Sequence, residues 1–191
     1  MKNNRKGQAA IWDRSTIKKM RSGFKSPAQR LIFEISLFTG ERIGAIVQLR
    51  VSDVYDRDGK VLSEITFAAT TRKSTKHGQA LTRQVPIHPD LLLFLSQYNP
   101  PCSGYLFPSR SKAGHIKRRA VDKCWRKILN EEGISGFSTH SSRRWVINEL
   151  RRSSIPVVTI GEVLGMNIAT VRHYLDNDPD AVKNAIALLE V

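Results

Sequence analysis

The chain has 191 residues, with 31 lysines and arginines against 17 acidic residues, and a net charge of +14 at pH 7. Its hydrophobic fraction of 40% is typical of a folded domain and argues against a disordered tail. So large a positive excess favours a polyanionic partner, most commonly nucleic acid. The sequence has no secretory leader and no apolar run long enough to span a bilayer, so we expect a cytoplasmic protein.

The basic residues recur along the whole chain instead of gathering on one amphipathic helix, which argues against a membrane-surface protein. Folding can join them into a track along a phosphate backbone, although a merely solubilising surface is the plain alternative. Cys102 and Cys124 lack metal-site spacing, and the five histidines form no ligand cluster. We therefore expect reduced cysteines and no bound metal.

The predicted elements begin after a loose basic arm over residues 1–14, and one domain follows over residues 15–191. Helical periodicity starts near Ser15. A second helix starts at Ser26-Pro27, with serine as cap, and ends at Gly40. A short helix follows through Ile43 and Leu49.

Three β-type stretches come next, at residues 54–55, 62–70 and 81–87, with a turn at Asp58-Gly59 and a polar hairpin tip from Arg72 to Gln79. From Pro89 onward the pattern is helical again. The predicted helices cover about 89–98, 116–131, 140–152, 156–164, 167–175 and 179–189. These elements predict an α+β fold, mainly α, with a small three-stranded antiparallel sheet.

Arg42 and the pair His140 and Arg143 are candidates for binding a phosphodiester. Arg42 follows a glycine at a helix junction, where its planar fork can address phosphate oxygens. The plain alternative is an arginine paired with Glu34 or Glu41. His140 and Arg143 are three residues apart at a helix start and can face one anion, although a capped helix with an exposed arginine explains them equally.

Tyr174 and Lys76 are candidates for the chemical step. Tyr174 lies in a basic helix and can be a nucleophile or an ordinary core residue. Lys76 lies in the hairpin tip and can be a mobile proton donor or a solvated lysine. Each residue is unspecific alone, and their order along the chain is what makes the set informative.

Taken together, an arginine after the first long helix, a lysine in a hairpin, His-x-x-Arg at a helix start and a near-C-terminal tyrosine resemble the tyrosine recombinase (phage integrase) family. The resemblance covers about residues 25–190. It extends to local segments: Leu37–Ala45, Val51–Val54, Arg83–Ile87, Gly104–Pro108 and Leu164-Gly165.

The resemblance implies site-specific DNA recombination through a 3′-phosphotyrosyl intermediate, without metal, cofactor or small-molecule substrate. Tyr174 would be the nucleophile, and Arg42 and Arg143 would hold the phosphate oxygens. Lys76, or as second choice Lys73, would protonate the leaving 5′-oxygen, and His140 would assist proton transfer or orient the phosphate. Further expected DNA contacts are Lys73, Arg72, Arg144, Arg172, Lys117 and Arg118.

Family members act as four protomers on two double-stranded DNA sites, so a homotetramer on DNA is expected, on nucleoid DNA of a bacterium or phage. The last predicted helix, 179–189, fits packing on a neighbouring protomer or on its own domain equally well. Many family members carry a separate N-terminal DNA-clamping domain, and we expect it to be absent or removed here.

Met166 departs from the family pattern, which usually has histidine, sometimes tryptophan, directly after the Leu-Gly pair. Methionine cannot donate a hydrogen bond to a phosphate oxygen, and His173 is not an evident substitute. Two alternatives follow. One is a non-cutting, DNA-binding relative with the same fold. The other is a helix-turn-helix regulator built on residues 160–175, with Thr170 and Arg172 facing a groove.

Overall fold

The fold is seen in a computed structural model, which describes residues 9–72, 81–175 and residue 187. Lys73 and Lys76, the predicted helix over 179–189 apart from residue 187, and residues 1–8 of the predicted arm lie outside the described residues. None of the described helices is long and apolar enough to cross a membrane.

Most of the described chain is helical. The helices are α1 Arg14–Gly23, α2 Pro27–Thr39, α3 Ile43–Ile46, α4 Pro89–Gln97, α5 Arg118–Glu131, α6 Ser141–Arg152, α7 Val157–Leu164 and α8 Ile168–Tyr174. Ser26 caps α2, with its side chain accepting from the Gln29 N–H, and Pro27 occupies the first turn as predicted. The predicted α+β, mainly helical class is confirmed.

The sheet has two strands in the described residues, so the predicted third strand is wrong. Strand β1, Glu64–Phe67, pairs antiparallel with β2, Arg83–Pro86, with Phe67 opposite Arg83. Tyr55 makes only an isolated bridge to Val61. A tight turn lies between these two residues, and in it Asp56 Oδ1 accepts from the backbone N–H groups of Asp58 and Lys60. Too few residues therefore remain on either side of the turn to form a strand ladder.

The main core lies under α1, α2, α5 and the sheet, and it contains an aromatic cluster around Trp12. The Trp12 ring stacks on Phe137 at 4.6 Å and meets the edges of Phe33 and Trp125 at 5.6 and 6.1 Å. Trp12 is 1% exposed, and Asp13 caps α1. Residues 9–13 are therefore packed onto the domain, which corrects the loose arm for this part of it.

A second, smaller core joins α6, α7 and α8 around Ile147, Ile160, Leu164 and Val171. It meets α2 at Gly40, which ends that helix in the left-handed conformation with φ 60°. A Cβ on Gly40 would lie 2.6 Å from Leu164 Cδ2. Glycine at this position lets the two cores approach, and the next two residues, Glu41 and Arg42, leave the helix at that contact.

Candidate active site

A cavity of about 300 Å³ opens between the α2–α3 junction, the turn after β1 and the start of α6. Its charged and polar lining residues are Glu41, Arg42, Thr71, Arg72, Arg118, Thr139, His140 and Arg143. The structure thus brings together three of the predicted catalytic residues from segments about 100 residues apart in the chain.

Arg42 lies at the N-terminal cap of α3, half-buried in the cavity wall. Neither carboxylate proposed as its ion-pair partner is available. Glu34 is bound by Arg21 at 2.7 Å, and Glu41 is shared among other arginines. Among the described residues the Arg42 guanidinium has no carboxylate partner, so its side chain can bind an external anion.

Glu41 is fully buried and is the acid around which the site is organised. Its Oε1 accepts from the Arg42 backbone N–H at 2.7 Å and from Arg143 Nη2 at 3.3 Å. Its Oε2 accepts from Arg72 Nε at 3.2 Å and Arg83 Nη1 at 3.1 Å. Burial alone would raise the pKa of the Glu41 carboxyl, yet the Arg143 charge, the Arg42 amide and the charges of Arg83 and Arg72 together outweigh it, and the pKa lies below its ordinary value. The carboxylate is therefore ionised at neutral pH.

Arg143 projects from the first turn of α6 and is 2% exposed. Its Nε donates to the Gly40 carbonyl at 2.7 Å, while its Nη1 is buried without a hydrogen-bond partner in the described part of the chain. Burial, partly opposed by the charge of Glu41, lowers the pKa of Arg143 to about 10, so the group stays a cation at pH 7. A buried cationic donor that lacks an acceptor destabilises the fold unless a ligand accepts its hydrogen bond. The free Nη1 of Arg143 therefore favours an anion-binding site here.

His140 precedes α6 at its N-terminal cap. Desolvation of the ring, followed by the charges of Arg143 and Arg42, lowers the pKa of His140 below its ordinary value. The imidazole is therefore mostly neutral at pH 7 and able to accept a proton.

Tyr174 is the last residue of α8, half-buried against α6. Its backbone carbonyl accepts from Asn148 Nδ2 at 3.1 Å, which ties the end of α8 to α6, the helix that carries Arg143. The predicted nucleophile thus lies on the helix that packs against α6, although Tyr174 is not among the residues that line the cavity.

The predicted DNA contacts divide into three groups. Arg72 and Arg118 line the cavity, and Lys117 is exposed beside Arg118 at the start of α5. Arg172 is exposed on α8, away from the cavity lining. Arg144 is a correction: it is 7% exposed and donates to the Ala9 carbonyl, because a one-residue step along α6 turns it about 100° away from Arg143.

Sequence reasoning did not assign functional roles to Glu41 and Arg83. Arg83 lies on the inner face of β2, 7% exposed, and its Nη2 donates to the Thr39 carbonyl at 2.9 Å. The sequence did contain a signal for Arg83, because this residue and Val85 occupy the buried side of an alternating strand. An arginine that points into the core needs an acidic partner. Its acidic partner is Glu41, which is 42 residues away in the sequence and can be identified only from the fold.

Comparison with known proteins decides the family. The model of the phage integrase family matches residues 14–180. The chain belongs to the phage integrase family. No curated protein matches the chain.

Several solved structures share the fold. XerA recombinase matches with a TM-score of 0.70 and 17% identity, over 98% of this chain and 65% of XerA. The catalytic domain of bacteriophage HP1 integrase gives a TM-score of 0.65 and 21% identity over 95% of each chain. XerH site-specific recombinase, in a post-cleavage complex with a palindromic difH substrate, gives a TM-score of 0.68 and 18% identity over 98% of this chain and 55% of XerH. The phage integrase-family chain thus spans about two thirds or less of the Xer proteins that it matches.

Proposed function

We propose that this integrase-family chain cuts and rejoins double-stranded DNA at specific sites, with Tyr174 as the nucleophile. The observation that carries the proposal is the convergence of Arg42, His140 and Arg143 on one cavity, with Tyr174 at the end of a helix that packs against the helix of Arg143. Family membership and the shared recombinase fold support it.

In the proposed reaction the Tyr174 oxygen attacks phosphorus, and the bond from phosphorus to the 5′-oxygen breaks. The products are a 3′-phosphotyrosyl ester and a free 5′-hydroxyl, so the ester can be rejoined without an energy source. His140, neutral at pH 7, assists by accepting the phenolic proton or orienting the phosphate. Lys76, or Lys73 as second choice, supplies the proton for the 5′-oxygen.

Arg42 and Arg143 hold the non-bridging oxygens and offset the charge that builds up in the transition state. Arg143 is pre-oriented because Gly40 and Glu41 occupy Nε and Nη2 and leave Nη1 for the ligand. Donors fixed in advance need no reorganisation during the reaction, and one such donor is worth about 3–4 kcal/mol of transition-state stabilisation.

DNA binding itself is proposed to be mainly electrostatic, given the net charge of +14. Arg118 and Lys117 at the cavity mouth and Arg172 on α8 are the described contacts that we assign to phosphates. Exchange of two strands requires four protomers, so we propose a homotetramer on DNA, in the cytoplasm of a bacterium or phage-infected cell. Affinity should fall steeply between low and moderate salt.

Covalent trapping tests the proposal. The protein is incubated with nicked suicide duplexes carrying its candidate sites, denatured, and assayed for protein–DNA adducts. Wild type should form an adduct and Tyr174→Phe should form none while retaining salt-sensitive binding. An adduct that persists in Tyr174→Phe would refute Tyr174 as the nucleophile.

A second candidate function is DNA binding without cutting, and Met166 favours it. The Met166 side chain packs against the α6–α8 core and offers no donor at the position where the family usually has one. Clear binding with no adduct in either variant would support this alternative. A helix-turn-helix regulator is disfavoured, because it has no use for the buried arginine cluster around Glu41.

A further inference from the structure

Arg72 is a cationic residue of the cavity to which the family resemblance assigns no catalytic role. It follows the short 3₁₀ turn Ala69–Thr71 after β1, and its side chain is 8% exposed. We propose that Arg72 is a third guanidinium on the scissile phosphate, supplying the donor that this chain lacks at Met166. The inference rests on the function proposed above.

The Arg72 guanidinium is held in a defined orientation. Its Nε donates to Glu41 Oε2 at 3.2 Å and its Nη1 to the Leu81 carbonyl at 2.7 Å. Two anchors on one planar group fix its plane, and an arginine so held loses little further freedom on binding an anion. Among residues 9–72 and 81–175, no acceptor occupies Nη2.

Nη2 lies on the turn after α7, next to the position of Met166. Gly165 has φ 57°, and a Cβ added there would lie 2.7 Å from Arg72 Nη2 and 3.5 Å from Cζ. With glycine at this position, the guanidinium can lie directly against the turn. The preceding residue, Leu164, contacts Gly40, whose carbonyl binds Arg143. Arg72 and Arg143 therefore approach the cavity at the same corner.

Charge at this corner also favours an anionic ligand. Glu41 is one negative charge shared by three arginines, Arg72, Arg83 and Arg143, which leaves a surplus of two positive charges. Arg83 lies on the inner face of β2 and does not line the cavity. Arg72 and Arg143 therefore present the surplus, and a phosphoryl transition state, which carries more negative charge than the diester, matches it.

The test compares Arg72→Ala with Arg126→Ala, a matched loss of one arginine at a site half exposed on α5 and paired with Asp122. The measurement is the single-turnover rate of covalent attachment at saturating nicked duplex. Arg72→Ala should be slower than wild type by about 100-fold, and Arg126→Ala about equal to wild type. Equal rates for the two variants would overturn the role of Arg72.

A substrate change separates phosphate contact from a structural role. A methylphosphonate at the scissile position removes one charged oxygen, so it leaves Arg72 less charge to offset. The gap between wild type and Arg72→Ala should shrink by about tenfold or more on this substrate. A purely structural defect slows both substrates alike, and an unchanged gap would contradict the proposal.

Two more variants protect the test against misfolding and against failure of the proposed function. Arg72→Lys keeps the positive charge beside Glu41 but loses the planar set of guanidinium donors, so the rate of covalent attachment should fall by about tenfold. A wild-type rate in this variant would count against the proposal. Met166→His should restore Arg72→Ala more than it accelerates wild type, and equal effects refute the link to Met166. If wild type forms an adduct and Arg72→Ala forms it at the same rate, only the role of Arg72 fails. If wild type forms none, the proposed cutting activity fails and this role with it.

Discussion

Replacing Glu41 by glutamine should destabilise the fold far more than removing any surface acid. The carboxylate is 0% exposed and binds three guanidinium groups at 3.1–3.3 Å. Each such contact is worth about 4 kcal/mol of Coulomb energy at an effective dielectric near 20, and the desolvation of the charges offsets a large part of the sum. Breaking a buried pair typically costs about 3–5 kcal/mol. We expect about 3 kcal/mol for Glu41→Gln, since the amide keeps some hydrogen bonds.

Urea unfolding at pH 7 measures this loss, and Glu131→Gln is the matched control. Glu131 is 61% exposed and lies 3.8 Å from Lys127, so its removal should change the free energy of unfolding by less than about 0.5 kcal/mol. Because the domain as a whole is stable by only about 5–15 kcal/mol, the difference between the variants is readily measured. Equal unfolding midpoints and slopes for the two variants would refute the assignment of Glu41 as the organising acid.

The pH dependence gives the same prediction an independent check. The folded pKa of Glu41 is lowered from its ordinary 4.5, so its stabilisation is fully present above that pH and is lost as the pH falls through the lower folded value. The difference in unfolding free energy between wild type and Glu41→Gln should therefore be constant above about pH 5 and shrink in more acidic solution. A difference that grows on acidification would contradict the lowered pKa.

Three further predictions follow from the site and its supports. Trp12→Ala should lower the free energy of unfolding by about 3–5 kcal/mol, whereas Trp12→Phe, which keeps the stacking on Phe137, should cost about 1–2 kcal/mol; equal losses in thermal or urea unfolding would mean that the ring contacts are unimportant. Gly40→Ala should cost about 1–3 kcal/mol, because φ is 60° and the added Cβ meets Leu164, and an unchanged melting temperature would contradict that contact. His140→Gln should slow adduct formation and remove the acid limb of the pH–rate profile, which in wild type should lie below the ordinary histidine pKa of 6.5. His88→Gln changes an exposed histidine at the N-terminal cap of α4, outside the cavity lining, and should keep that limb, whereas a limb that persists in His140→Gln would exclude His140 as its source.

Much of the fold could be predicted from local sequence. Helical periodicity and caps located α4 at 89–98 against the observed Pro89–Gln97, and α7 at 156–164 against Val157–Leu164. These signals are local, since an apolar stripe, a serine before a proline or a glycine after a helix each acts within a few residues. The predicted third strand did not form, because the tight turn at Asp56 leaves only an isolated bridge between Tyr55 and Val61.

The site residues also divide into those that the sequence indicated and those that only the fold revealed. Arg42, His140, Arg143 and Tyr174 could be selected from the sequence, because their residue types, order and neighbouring segments resemble one family. Neither Glu41 as the shared acid nor the burial of Arg144 under Ala9 could be selected in this way. Those facts depend on which surfaces meet across 30 to 135 residues of chain, and only tertiary packing brings such distant residues together. The sequence by itself thus determined which groups are available for the chemistry. The tertiary structure decided which of them share one carboxylate and which face the cavity, because buried charges must find partners wherever the fold places them.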